Sequence, residues 1–155
     1  MTKEKNPMSH REMAAACFNK TWHYLDLIER KSDEVDAMLN VAHTSYWHWT
    51  QFPDHTATNL SVGLWMLSRV YAVADLPERA THFAQACISI GQEHKLPPFY
   101  AGYGYEAQAR AMSRANQSAA SESLAKARKL CDAIEDELEK KMLLDDINTI
   151  NVGSA

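Results

Sequence analysis

Ala14, Cys17, Phe18, Thr21, Trp22, Leu25 and Ile28 recur at intervals of three and four. That spacing lines one face of an α-helix and predicts a first helix over about residues 10–30. Ser9 and Glu12 stand ahead of it as a capping-box pair. Val35, Met38, Leu39, Ala42, Tyr46 and Trp49 form a second stripe. Ser32 opens it as N-cap, Asp33 and Glu34 suit the first turn, and Pro53 closes it. The third stripe is Leu60, Leu64, Leu67, Tyr71 and Ala74, entered from Asp54, Thr56 or Thr58. Val62, Trp65, Met66, Val70 and Val73 occupy its other sides, so this helix is expected to lie buried at the centre. Asp75-Leu76-Pro77-Glu78 reads as cap, first-turn proline and capping box of a fourth helix carrying Ala80, Phe83, Ala84, Cys87 and Ile90. Lys95 to Pro98 ends it. A fifth helix follows with Tyr100, Tyr103, Ala107 and Ala111, and a sixth with Leu124, Ala127, Cys131 and Ile134. Asp136 and Glu139 form a further capping pair, so a seventh helix with Leu138, Met142, Leu143 and Ile147 is separated there. No Gly or Pro enforces that break, and one long helix over about residues 118–150 is the alternative.

Composition agrees with an all-α chain. The 155 residues hold five Gly and five Pro, 22 Ala and 13 Leu, and only 12 Val and Ile together. Few breakers, much Ala and few β-branched residues favour helix. Residues 1–8 and 151–155 read as tails around one domain at 9–150. Its expected parts are antiparallel hairpins at 10–53, 56–94 and 98–134 and a capping helix at 136–150.

Charge and cysteine content exclude several classes. The net charge is −4, and Lys126, Arg128, Lys129, Lys140 and Lys141 are interleaved with acids. This is a solvated mixed-charge face, and nucleic acid is not expected as a partner. The stretch from Leu60 to Ala74 is broken by Ser61, Ser68 and Arg69, so no membrane span is expected. Cys17, Cys87 and Cys131 lie far apart in apolar patterns, which suits small buried side chains in a reducing compartment. With no secretory signal at the N-terminus, the expected location is cytoplasmic.

An internal repeat is visible. Ser68 to Asp75 aligns with Ala109 to Asn116 at an offset of 41, and Phe83, Ala84 and Ala86 then meet Leu124, Ala125 and Ala127. A period near 40, one helical hairpin per unit, belongs to α-solenoids. The second unit resembles a tetratricopeptide repeat. Ala115-Asn116 stands at the inter-helix turn, and Ala120, Leu124 and Ala127 follow the family's small, large, small order. The first unit is similar at Phe83 and Ala86 but has Arg79 where a small residue is usual. The resemblance covers about residues 56–134. It implies hairpins stacked as a short right-handed superhelix of about seven helices. It also implies a concave groove on the first helix of each pair that binds peptides or partner proteins.

Four groups are candidates for function. His43, Tyr46, Trp47, His48 and Trp49 crowd one stretch. They either pack between hairpins, which Trp and His most often do, or line a pocket. His43 and His48 stand about 140° apart round a helix and cannot chelate one metal ion. Glu78 and His82 have metal-ligand spacing but lack a third ligand on their helix, and Glu78 is explained by the cap. Phe99 to Glu106 places Gly102 and Gly104 in a helix, at about 1 kcal/mol each against Ala. Close approach of a neighbouring helix or of a ligand would offset that cost. Arg69 stands alone in an apolar helix and is expected to reach Glu106 or Asp26, to escape to solvent, or to bind an anion. Its repeat mate Arg110 has Glu106 one turn earlier.

There is no P-loop, no G-x-S-x-G and no dinucleotide glycine motif, and no cofactor is expected. The expected function is a non-enzymatic protein- or peptide-binding scaffold. Its groove, on the first, third and fifth helices, would use Tyr100, Tyr103, Glu106, Arg69, His43 and Trp47. A homodimer through an uncovered hairpin face is a second expectation. The alternative is a metal- or small-molecule-binding bundle, with enzymatic activity open to it, that brings His43, His48, His82 and Glu106 together.

Overall fold

The computed structural model describes residues 6–153. The first five positions of the expected N-terminal tail, and Ser154 and Ala155, lie outside the described residues. The described chain forms seven helices: α1 (His10–Leu25), α2 (Ser32–Gln51), α3 (Ala57–Val73), α4 (Pro77–Glu93), α5 (Pro98–Met112), α6 (Gln117–Asp132) and α7 (Glu137–Asn148).

Polar side chains set most of the boundaries. Ser9 and Glu12 form the expected reciprocal cap on α1. Thr56, of the three candidates, caps α3 reciprocally with Asn59. Asp136 accepts from the Glu139 N–H at 2.9 Å and opens α7, so α6 and α7 are separate helices.

Three expectations are corrected. The first helix ends at Leu25, because Arg30 folds back and donates to the Tyr24 and Leu25 carbonyls at 2.7 and 2.6 Å. Those donors replace the next helical turn, and Ile28 is left 99% exposed in the loop rather than on an apolar stripe. The N-cap of α2 is Lys31, one residue before Ser32, with Glu34 reaching back to its N–H at 2.7 Å. Asp75 does not cap α4. It sits at φ 59° and ends α3 in a Schellman turn, where Asp75 donates to the Ala72 carbonyl and Leu76 to that of Tyr71. The N-cap of α4 is Leu76, which makes no side-chain bond, so Glu78 belongs to no capping box.

Contacts between helices fix the direction of each pair. Ser45 Oγ donates to the Ala14 carbonyl at 2.8 Å, and His10 meets His48, so α1 and α2 run antiparallel. Ser68 Oγ donates to the Ala80 carbonyl at 2.8 Å, and Ser61 meets Cys87 farther along, so α3 and α4 do the same. In α5 and α6, Gly102 lies against Ala127 and Leu130 while Gln108 meets Ser123. Small residues at each crossing let the backbones approach. A Cβ on Gly102 would lie 2.6 Å from Leu143 Cδ2, and one on Gly104 would lie 3.1 Å from Ile88 Cγ1. Both glycines are therefore explained by helices of this chain, not by an incoming ligand.

The backbones of α1, α3, α5 and α7 approach one another in succession, whereas those of α2, α4 and α6 stay more than 8 Å apart and meet only through side chains such as His43 and Phe83. An array whose odd helices meet and whose even helices part curves toward the odd side. Two apolar cores result. The larger spans α2 to α5 around Met38, Met66, Leu67, Val70 and Phe83, with α3 buried on nearly every side. The smaller joins α6 and α7 through Ala127, Cys131, Leu143 and Ile147. Tyr103 packs against both.

Lys95 ends α4 in a second Schellman turn at φ 49°, a conformation that costs an L-residue about 1–2 kcal/mol. It is exposed. Lys95→Gly is therefore expected to stabilise the fold by about 1 kcal/mol, a rise in Tm of about 2–4 °C. A thermal melt with an unchanged or lower Tm would contradict the strain.

Candidate functional site

The odd helices enclose a cavity of about 300 Å³. Phe18 and Trp22 come from α1, Ser61, Val62 and Trp65 from α3, Phe99, Tyr100 and Tyr103 from α5, and Met142 and Asp146 from α7. A second cavity of about 180 Å³ shares Phe18 and Val62 and adds Ala15, Asn19, Trp49, Thr58 and Asn59. Together they form one apolar trough along α1 and α3. Trp65 stands edge-on to Tyr103 at 5.4 Å and tilted against Trp22 at 6.0 Å, and Phe99 stands edge-on to Tyr103 at 5.2 Å.

A charged network holds this wall from behind. Glu106 is 0% exposed and accepts from four donors. Trp65 Nε1 lies at 2.9 Å, Arg69 Nη2 at 3.1 Å, and Arg110 Nε and Nη2 at 3.0 and 2.8 Å. Burying a carboxylate without such partners costs several kcal/mol, roughly, even after relaxation. Arg69 stands 5.2 Å over the Trp65 ring and reaches Asp146 Oδ1 at 3.3 Å. Its Nε is buried with no hydrogen-bond partner. Tyr103 donates to Asp146 Oδ2 at 2.6 Å. Burial, and then that carboxylate, push the Tyr103 phenol well above its ordinary range, so it stays protonated. Arg110 also donates to the Asp146 carbonyl at 3.1 Å and to Thr149 at 2.7 Å, fastening α7 to α5.

Tyr100 and Tyr103 line the cavity, and Arg69 reaches Glu106, with Asp146 rather than Asp26 as its second partner. Glu106 is a buried anchor and not an exposed clamp. His43 and Trp47 do not join the trough. His43 Nε2 lies 2.8 Å from the Tyr71 hydroxyl, edge-on to Phe83, between α2, α3 and α4. Trp47 is 54% exposed and packs beside His10 and His48, whose Nδ1 atoms lie 2.8 Å apart.

The histidines of the alternative reading are dispersed. His48 pairs with His10, His43 with Tyr71, and His82 stands exposed beside Phe83. Among the described residues no three His, Cys, Asp or Glu side chains group as metal ligands, and Glu78 and His82 gain no third partner. The three cysteines are free, and burial raises each thiol above its ordinary value, Cys87 to about 11. No helix of the described chain is long and apolar enough to cross a membrane.

Phe18, Trp22, Val62, Trp65, Phe99, Met142 and Asp146 were not among the expected site residues. One signal was available for Trp65. It precedes Glu106 by the 41-residue repeat offset, as Arg69 precedes Arg110. Asp146 carries no such signal, since only the packing of α7 on α5 brings it to the site. Comparison with protein-family models, with curated proteins and with solved structures finds no match.

Glu106→Gln removes the buried charge that pairs with two part-buried arginines and is expected to cost about 3 kcal/mol in urea unfolding. A loss under about 1 kcal/mol would show that the network contributes little to stability. Burial, and then the nearby Arg79, hold His43 below the usual histidine range. The unfolded chain therefore takes up the proton first, so stability is full above about pH 6.5 and falls as pH drops below it. His43→Gln keeps an amide nitrogen for Tyr71, and it should flatten this fall in chemical denaturation measured across that range.

Proposed function

We propose that the protein is a non-enzymatic binding module that takes a peptide or a segment of a partner protein in the trough of α1, α3, α5 and α7. One observation carries this reading. The exposed side of the odd helices is an open aromatic trough whose walls are braced by the ion pairs of Arg69 and Arg110 on the buried Glu106. Phe99, Tyr100, Trp22 and Met142 are left for contact while Glu106, Arg69 and Arg110 hold the helices in place. Preformed aromatic anchors lower the ordering cost of binding. The tetratricopeptide-like reading of the sequence supports the same surface, since the first helix of each hairpin faces the trough.

Tyr100 and Met142 make no side-chain hydrogen bond among the described residues, so both can be truncated with little structural cost. Peptides selected from a random library on the wild-type chain should bind the Tyr100→Ala/Met142→Ala variant about tenfold or more weakly, a loss of about 1.4 kcal/mol or more. Trp47→Ala, away from the trough, should leave binding unchanged. The reading fails if selection yields no binder, or if the binders ignore the double variant.

A further inference from the structure

We propose that the segment bound in the trough anchors itself with a cationic side chain, lysine or arginine, set among the Trp22, Trp65 and Tyr100 rings and against the Asp146 carboxylate. This rests on the trough being the binding surface.

Asp146 is the one charged residue lining either cavity. Its side chain is 31% exposed, whereas Glu106 is fully covered. The two arginines are committed mainly to Glu106, at 3.1 Å from Arg69 and 2.8 Å from Arg110, against 3.3 Å from Arg69 to Asp146. A carboxylate offers about four acceptor positions. Arg69 and Tyr103 fill two of those on Asp146. A purely apolar anchor would cover the remainder with no donor, and a covered acceptor without a donor is unfavourable. An acidic anchor would meet like charge in a trough that no Lys or Arg lines. A cationic anchor supplies the missing donors. It also stands beside the Trp22 and Tyr100 rings, an aromatic surround that favours a desolvated cation.

The test compares two blocked pentapeptides, alanines around a central arginine and the same peptide with neutral citrulline. Each is titrated into the full chain while the Trp22 and Trp65 indole N–H resonances are followed. The arginine peptide is expected to bind at least fivefold more tightly. Asp146→Asn, which keeps an acceptor for Tyr103, should bring that ratio close to one. Tyr103→Phe keeps the ring and frees an acceptor on Asp146, so it should widen the ratio. It also serves as the second readout if Asp146→Asn does not fold. Equal binding of the two peptides, tighter binding of the citrulline peptide, or no shift at either indole at millimolar arginine peptide overturns the proposal. If the two peptides tie while library-selected binders still lose affinity on Tyr100→Ala/Met142→Ala, the trough stands and only the cationic anchor falls.

Discussion

The architecture on the odd-helix side depends on one buried carboxylate. Glu106 is reached by α3 twice, through Trp65 and Arg69, and by α5 itself through Arg110. Arg69 and Arg110 then extend the same hydrogen bonds to α7. A charge fully out of water tolerates little loosening, because each lost donor leaves an uncompensated group. Three helices are therefore held in one register by a single side chain. A purely apolar seam between them would fix their spacing but would define their sliding less sharply.

The trough follows from that register and from small residues elsewhere. Buried serine, alanine and glycine at the crossings draw α3 to α4 and α5 to α6 closely. Large aromatic residues of the odd helices, Phe18, Trp22, Trp65, Phe99 and Tyr103, gather where those helices meet. The space left open between them is the trough. Met142 and Asp146 close one wall, so the capping helix lines the trough as well as covering the smaller core.

Parts of this were legible in the chain and parts were not, for physical reasons. The apolar stripes and the Ser9, Thr56 and Asp136 caps are local, since side chain and backbone partners lie within one turn. The Schellman turns at Asp75 and Lys95 were hidden, because neither residue is the Gly that usually marks a left-handed position. Arg30 and Ile28 were misread for a similar reason. A long side chain folding back onto carbonyls competes with another helical turn, and periodicity does not report on it.

The sequence by itself determined an all-α chain, the approximate limits of its first five helices, the central place of α3 and the pairing of Glu106 with Arg110, because each depends on residues at most a few turns apart; the break between α6 and α7 it left open. It also marked Tyr100 and Tyr103. Only the tertiary structure decided that His43 turns to Tyr71 and Trp47 to His10, away from the trough. It alone decided that Gly102 and Gly104 serve packing, and that Asp146 arrives from α7 beside Arg69 and Tyr103. These are contacts between helices, fixed by which faces meet once the whole array has stacked, and no spacing along one helix encodes them.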